Sequence, residues 1–328
     1  MPRWMSGPLL AMTMVLAASP APAGSGYSWP THTPYSVSES RMSRALDCRR
    51  EQGDKFIFGG AGALDGSGRK HPVLLVHGTG ISRRQSWEWN YWKVLTERGW
   101  EVCWIALPKS ALGDIQISSE FVAKAIELMH DATGEQIDVL GHSQGGLQPR
   151  WAIKWFPSAR FVADYIGLAS PNHGTSVAND VSQDEGCFKS CWQLRRNSKF
   201  IRALNRDTET PGPINYTNIY TASDELIQPP GTQDLSGANK KNILLQDLCP
   251  GRPVDHVGIL ADYVTWVLVK DALRHPGPAD PRILTTEDCL EDTMPGADDP
   301  PAGAADVVDF TQGKITDHEP PLKDYAKP

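Results

Sequence analysis

The sequence predicts an α/β fold in which a mostly parallel sheet is covered by helices on both faces. Stretches typical of strands alternate with stretches typical of helices at least four times, a pattern that indicates parallel strands joined by helical crossovers. The stretch "HPVLLVHGTG", residues 71–80, contains four consecutive apolar residues, Val73 to Val76, before a glycine-rich turn. A continuous apolar run of this kind is typical of a strand buried on both faces.

The remaining elements follow from hydrophobic spacing and from stop signals. The clearest helix is residues 118–134, because its apolar residues recur at helical intervals between an initial Ser118 and a final Gly134. We also predict strands at 100–107, 136–141, 161–170 and 217–223, and helices at 40–48, 87–99, 144–156 and 257–273.

Length and charge limit the classes of protein that remain. The chain has 328 residues, a formal net charge of −7 and a sequence pI of about 5.7. It has no basic run, which argues against a nucleic-acid partner. We predict one catalytic domain at residues 24–290. Residues 291–328 are rich in Pro, Gly and Asp, and this C-terminal segment is expected either to pack on the domain or to be partly disordered.

The first 23 residues are typical of a signal peptide. Arg3 precedes a ten-residue, largely apolar stretch, 9–18, and "APA" at 21–23 is a small-x-small cleavage site. A stretch of ten residues is too short for a membrane-spanning helix. The rest of the sequence contains no apolar stretch that is long enough for one. We therefore predict a secreted protein that is cleaved near Ala23 and has no transmembrane segment.

Six cysteines lie beyond this signal peptide. An even number in an exported chain suggests three disulfides, and six cysteines allow 15 pairings among which the sequence alone does not choose. Cys187 and Cys191 are near enough in sequence to close a small loop. No Cys-x-x-Cys pair with matching histidines is present, so we predict no metal and no other cofactor.

Ser143 is the candidate nucleophile. It lies in "GHSQGG", residues 141–146, between a predicted strand and a predicted helix. A sharp strand-to-helix turn crowds the residues beside a nucleophile, which is why such turns carry glycines two positions before and two after the serine. Gly141 and Gly145 occupy these positions.

A serine hydroxyl is a weak nucleophile and needs a base. In α/β hydrolases the chain order is serine, acid, histidine. His256 is the candidate base because it lies in a loop just before an apolar helix. The alternatives after Ser143 are His173, His275 and His318.

Asp224 is the candidate acid, since it directly follows the predicted strand 217–223 and so falls at the same sheet edge as Ser143. It would fix the tautomer of the histidine and stabilise the imidazolium. Glu225 is the nearest alternative, and Asp207 and Asp255 are weaker ones.

An oxyanion site usually takes one N–H from the residue after the nucleophile and another from a loop after an early strand. Gln144 is the first candidate. Thr79, in the "HGTG" turn, is the second, because it can offer both its N–H and its hydroxyl.

These residues carry a family resemblance. The chain resembles the α/β-hydrolase lipases of the Candida antarctica lipase B type over roughly residues 34–290. The stretches that carry the likeness, in order, are "PVLLVHGTG", "EVCWIALP", "LGDIQISSEFVAKAI", "SQGGLQPRWAIKWFPS", "NIYTASDELIQP" and "DHVGI". By position, Ser143, Asp224 and His256 match the catalytic residues.

The resemblance has further implications. Thr79 and Gln144 match the oxyanion donors. It pairs Cys48 with Cys103 and Cys249 with Cys289, while Cys187 and Cys191 have no counterpart and are paired by proximity. The activity that it implies is hydrolysis of carboxylic esters such as acylglycerols, with no cofactor. We expect a monomer that acts on an ester or lipid substrate, with a lipid–water interface as one place where it meets that substrate.

The chain also departs from that lipase type. Gly141 and His142 replace other residues before the serine, and the span before the C-terminal segment is short. We therefore expect a more open pocket, with His142 as a polar wall and with Leu226 and Ile227 as apolar lining or ordinary core. Two alternatives remain: a polyester or cutin hydrolase of the same mechanism, and a non-catalytic binding protein on a hydrolase scaffold.

Overall fold

A computed structural model describes residues 27–32, 35, 37–52, 55–64, 66, 71–184, 186–298 and 310–328. The predicted signal peptide, residues 1–23, lies outside the described residues.

The described residues contain ten strands. Their bounds are β1 Leu46–Gln52, β2 Lys55–Gly59, β3 Val73–Val76, β4 Val102–Ile105, β5 Ile137–His142, β6 Val162–Leu168, β7 Cys187–Phe188, β8 Asn215–Tyr220, β9 Lys240–Leu244 and β10 Ile315–Thr316. Eight of them form a central sheet in the spatial order β2, β1, β4, β3, β5, β6, β8, β9, while β7 and β10 form a separate pair. The six neighbours β4, β3, β5, β6, β8 and β9 pair in parallel, and β1 and β2 add an antiparallel edge.

Helices cover both faces of this sheet. Their bounds are α1 Glu39–Ala45, α2 Arg83–Trp87, α3 Tyr91–Glu97, α4 Ile115–Thr133, α5 Leu147–Trp155, α6 Ser176–Asp184, α7 Lys189–Leu194, α8 Lys199–Asn205, α9 Leu245–Leu248 and α10 Tyr263–Ala272. Among the helices of the described residues, none is both long and apolar enough to cross a membrane.

Strand β3 shows how the sheet divides the core. Its four side chains are fully buried. Leu74 and Val76 join the cluster under α4 and α5, whereas Val73 and Leu75 join the cluster under α3 and α10. Successive side chains of a strand point to opposite faces, so both faces of β3 require apolar residues. The predicted α/β fold with a mostly parallel, doubly covered sheet is confirmed.

Helix boundaries differ from those that spacing predicted. Helix α4 begins at Ile115, three residues before the predicted start at Ser118, because the Asp114 carboxylate accepts the N–H of Gln116 and caps the helix. Helix α10 begins only at Tyr263, after Asp262 caps it, so the stretch just after His256 is a loop and a short 3₁₀ turn at Gly258–Leu260.

Three disulfides tie these elements together. Cys48 on β1 is bonded to Cys103, its register partner on β4. Cys187 is bonded to Cys191, and Cys249 to Cys289.

The described part of the C-terminal segment packs on the domain. Strand β10 pairs with β7. Glu319 accepts the backbone N–H groups of Lys199 (2.9 Å) and Phe200 (2.8 Å), in the first turn of α8. Ala326 is fully buried. Residues 299–309 lie outside the description.

Candidate active site

The predicted site residues lie at the carboxyl ends of the parallel strands. Ser143 directly follows β5, Thr79 follows β3, and Asp224 follows β8 by four residues. His256 lies in the loop between α9 and the turn at Gly258–Leu260. Carboxyl ends of parallel strands share one edge of a sheet, where ligands of open α/β sheets bind.

Ser143 occupies a sharp turn between β5 and a 3₁₀ turn, Ser143–Gly146, that leads into α5. Its φ of 56° is in the left-handed region, which is strained for a residue with a side chain. The turn brings Gly141 against Gly145. A Cβ on Gly141 would lie 2.2 Å from the carbonyl oxygen of Gly145, and a Cβ on Gly145 would lie 2.2 Å from that of Val76. Glycine is therefore required at both positions.

Asp224 and His256 form a buried pair. Nδ1 of His256 lies 3.0 Å and 2.9 Å from the two carboxylate oxygens of Asp224, and the residues are 3% and 1% exposed. The backbone N–H groups of Leu226 (2.9 Å) and Ile227 (2.8 Å) also donate to this carboxylate. An ionised carboxylate only accepts, so the proton of neutral His256 resides on Nδ1 and its Nε2 keeps a lone pair.

Glu225, the nearest alternative acid, binds the main chain of His256 instead. Its carboxylate accepts the backbone N–H of His256 at 3.1 Å. Two adjacent carboxylates therefore hold one histidine, Asp224 by the ring and Glu225 by the backbone.

His142 is buried beside the candidate base. Its Nε2 lies 2.8 Å from the carbonyl oxygen of His256, and its Nδ1 is buried without a partner among the described residues. Because a carbonyl only accepts, Nε2 must carry the proton. Burial, and then the neighbouring His256, lowers the pKa of His142 to about 3. The prediction that His142 also forms a polar wall of the pocket stays a prediction.

The two candidate oxyanion residues contact each other. The hydroxyl of Thr79 donates to Oε1 of Gln144, and Nε2 of Gln144 donates to the carbonyl of Ala111 at 3.0 Å. Gly78 lies against Ser143, since a Cβ on this glycine would meet the Cβ of Ser143 at 3.0 Å. The loop after β3 therefore lies directly beside the candidate nucleophile.

A left-handed turn that the sequence did not predict supports this loop. Lys109, Ser110 and Ala111 all have positive φ values, 55°, 50° and 62°. The turn offers the Ser110 carbonyl to the N–H of Gly80 (2.7 Å) and the Ala111 carbonyl to Gln144. Three consecutive non-glycine residues in this conformation carry no recognisable sequence signal, because glycine and asparagine are its usual markers.

His77 has a supporting position. Its Nδ1 lies 2.9 Å from the Gly78 carbonyl, and its Nε2 accepts the N–H of Leu107 at 3.0 Å. These bonds require the neutral ring with a proton on Nδ1. Burial lowers the pKa of His77 to about 4, so the ring stays neutral and joins the loop after β3 to the end of β4.

The structure separates the other candidates. Ile227 is 4% exposed, whereas Leu226 is 42% exposed, and their roles as pocket residues stay predictions. The alternative bases pair with other carboxylates: His173 with Glu209 (2.9 Å), His275 with Asp271 (3.3 Å) and His318 with Asp317.

A parallel sheet covered on both faces, with a strained serine turn and an Asp–His pair at its carboxyl edge, defines an α/β hydrolase. Comparison with known proteins narrows this class. A family model described as Lipase (class 2) matches residues 70–247. Lipase B of Pseudozyma antarctica is 32% identical over 275 residues, which cover 78% of this chain and 79% of the relative. The chain belongs to the class 2 lipase family and is a carboxylic ester hydrolase.

Two further relatives agree with this assignment. The crystal structure of Aspergillus fumigatus lipase B superposes with a TM-score of 0.77 at 29% identity, covering 94% of this chain and 78% of that one. A triacylglycerol lipase of Pseudomonas fragi is 29% identical over 119 residues, which cover 35% of this chain and 39% of the relative.

Proposed function

We propose that this lipase cleaves carboxylic esters through an acyl-enzyme on Ser143. His256 acts as general base and acid, Asp224 orients it, and Thr79 and Gln144 bind the oxyanion. The observation that carries the proposal is the buried Asp224–His256 pair, which leaves Nε2 of His256 as the acceptor at the edge where Ser143 lies.

The first half-reaction forms the acyl-enzyme. Nε2 of His256 takes the proton of Ser143 as its Oγ bonds to the ester carbonyl carbon. The carbonyl oxygen becomes an oxyanion that receives the N–H of Gln144 and the N–H and hydroxyl of Thr79. The bond between carbon and the alcohol oxygen then breaks, and His256 gives its proton to the leaving alcohol.

The second half-reaction releases the acid. A water gives its proton to His256 and bonds to the acyl carbon, the Oγ–acyl bond breaks, and His256 returns the proton to Ser143. Asp224 stays ionised throughout and stabilises the imidazolium. Another alcohol can replace water where water is scarce, which would give transesterification.

We propose acylglycerols with apolar acyl chains as substrates, on the strength of the two lipase B relatives. The test is a hydrolysis profile over ester chain length, with each ester supplied both in solution and as an emulsion. A lipase gains rate on emulsions, whereas an esterase prefers short soluble esters. Hydrolysis of polyester films at a rate above that of emulsified acylglycerols would favour the polyester alternative.

The mechanism is tested separately with Ser143→Ala, which should abolish hydrolysis of every ester. Ser43→Ala, at an exposed position of α1, is the matched control and should keep the parent rate. An organophosphonate should label the peptide that contains Ser143. Full activity in Ser143→Ala would refute the mechanism and would favour a different nucleophile.

We further propose that the protein is secreted as a monomer after cleavage near Ala23. The sequence of residues 1–23 supports this proposal, and the three disulfides fit an oxidising compartment. Intact-mass measurement of protein from the culture medium should give a chain that begins at Gly24. Size-exclusion chromatography with light scattering tests the monomer.

A further inference from the structure

A second cluster of titratable side chains lies at the amino-terminal edge of the sheet, opposite the candidate active site. His71 precedes β3 by two residues, Asp138 is the second residue of β5, and Asp164 is the third residue of β6. These strands are adjacent in the order β3, β5, β6, so their beginnings bring the three side chains together.

An irregularity in strand pairing places the two carboxylates side by side. Ile137 pairs with Val162 and Val139 with Tyr165, so Asp138 alone faces two residues of β6. A bulge of this kind bends one strand and redirects a side chain. Asp164 is also the register partner of Asn215 on β8, and the Asn215 side chain hydrogen-bonds to the Asp164 carboxylate.

The geometry of the cluster is that of a ligand set. One nitrogen of His71 and one oxygen from each aspartate all lie within 4.8 Å of one another. Nδ1 of His71 is 3.1 Å from Oδ1 of Asp138. In a tetrahedral site with bonds of about 2.0–2.2 Å, ligand atoms are separated by about 3.3–3.6 Å, so small side-chain shifts bring this set into place.

Asp164 supplies an independent observation. The residue is 6% exposed, and its Oδ1 is buried with no hydrogen-bond partner among the described residues. A buried acceptor without a partner is costly. The Asp164 side chain also hydrogen-bonds to Asp138, and two carboxylates can do so only by sharing a proton, since two ionised carboxylates repel each other. A cation among these oxygens would replace that proton and supply a partner for the unpaired oxygen.

We propose that His71, Asp138 and Asp164 bind one divalent cation of the zinc class. The imidazole nitrogen favours a borderline metal over Ca²⁺, which takes six to eight oxygen ligands. The His71 side chain is 34% exposed, so water can complete the tetrahedron, and Asn215 orients Asp164 from the second coordination shell. The site joins the beginnings of three strands and lies away from Ser143, so its role is stabilisation rather than ester chemistry.

The test uses the whole protein after EDTA treatment and removal of the chelator. Isothermal titration with ZnCl2 should show one site per chain. The unfolding temperature should rise by about 3 °C or more at a zinc concentration a hundredfold above the Kd. CaCl2 should not raise it. Hydrolysis rates at 25 °C should be the same with and without EDTA.

Two variants and one control make the result specific. Asp164→Asn keeps the shape of the side chain and removes one charge, so it should fold with at least the parent stability yet bind zinc at least tenfold more weakly. His71→Ala should also lose zinc binding. His275→Ala removes a similarly exposed histidine that pairs with a single aspartate. This control should bind zinc as tightly as the parent and show the same rise in unfolding temperature.

Several outcomes would overturn the proposal. They are a Kd weaker than about 100 μM, an equal zinc response in Asp164→Asn and the parent, and a rise in unfolding temperature with calcium alone. Each would leave the cluster as a hydrogen-bonded group of acids and histidine, and none would bear on the proposed hydrolysis at Ser143.

Discussion

His142 binds the main chain of His256 through a 2.8 Å hydrogen bond from its Nε2 to the His256 carbonyl. The residue next to the candidate nucleophile therefore holds the backbone of the candidate base. The rings of the two histidines lie 4.9 Å apart between centroids. Glu225 accepts the backbone N–H of His256, so the N–H and the carbonyl of His256 are both held by hydrogen bonds. The position of Nε2 of His256 therefore depends on His142 and Glu225 as well as on Asp224.

His142→Phe should lower both stability and kcat. The phenyl ring fills the site but leaves the buried His256 carbonyl without its donor, at a cost of about 1–3 kcal/mol. His142→Gln is the control, because its side-chain amide can reach the same carbonyl and should restore much of the rate. The measurements are urea unfolding and kcat on a soluble ester. Equal kcat values for the Phe variant and the parent would show that the bond does not position the base.

Asp224→Asn should lower kcat by about 10⁴, because an amide cannot stabilise the imidazolium and can favour the wrong tautomer. Glu225→Gln should stay within a few-fold of the parent, since an amide oxygen still accepts the backbone N–H of His256. Steady-state kinetics on one soluble ester compares the two. If the larger loss fell on Glu225→Gln, the assignment of the acid would be reversed.

The sequence predicted the features that local chemistry sets. The glycines around Ser143 and the apolar run of β3 predicted the strand-to-turn geometry and the position of the parallel sheet. It did not predict β1, β2 or β9. Strand β1, Leu46–Gln52, contains four charged residues and lacks a buried-strand pattern, and its first three residues fall within the helix predicted at 40–48. Strands β2 and β9 form the two edges of the sheet, and each has only five residues.

The site was predicted less completely than the fold. The order of serine, aspartate and histidine identified candidates, but nothing local links His142 to His256, which are 114 residues apart. The left-handed turn at Lys109–Ser110–Ala111 was likewise not predicted, since it contains neither glycine nor asparagine, the usual markers of this conformation. Its conformation is stabilised by the hydrogen bonds that it makes to Gly80 and Gln144.

Thr79→Val should lower kcat by about 10²–10³ with little change in KM, because an oxyanion donor acts mainly in the transition state. In the free protein the Thr79 hydroxyl donates to Gln144, so the proposed role requires it to rotate toward the oxyanion. Thr79→Ser keeps the hydroxyl and should retain most of the rate. A rise in KM with no change in kcat would contradict the role of the hydroxyl. An equal fall in kcat in both variants would contradict it as well.

Removal of the Cys187–Cys191 disulfide should cost less stability than removal of Cys48–Cys103. The two bonds span 4 and 55 residues, and loop-closure entropy gives about 2 and about 4 kcal/mol respectively. Urea unfolding of the two double alanine variants at constant pH provides the comparison. The prediction fails if the short-loop variant is the less stable of the two.

The stability of the protein should fall in acid because His77 and His142 are buried as neutral rings. Their pKa values are lowered from 6.5 to about 4 and about 3. A histidine whose pKa is lower in the folded protein makes its full contribution to stability above its ordinary pKa of 6.5. That contribution is lost as pH falls, because the unfolded chain then binds protons that the folded chain excludes. The slope approaches about 1.4 kcal/mol per pH unit for each histidine.

His142→Gln isolates one of these two contributions, because glutamine does not titrate. Urea-unfolding free energies of the parent and this variant are measured from pH 8 to pH 4, and the parent should lose more stability than the variant as the pH falls. The difference between them should shift by about 3 kcal/mol in favour of the variant between pH 7 and pH 4. Carboxylates titrate equally in both proteins and cancel in the difference. Parallel curves would mean that the pKa of His142 is the same in the folded and unfolded protein, which would contradict the burial of a neutral ring.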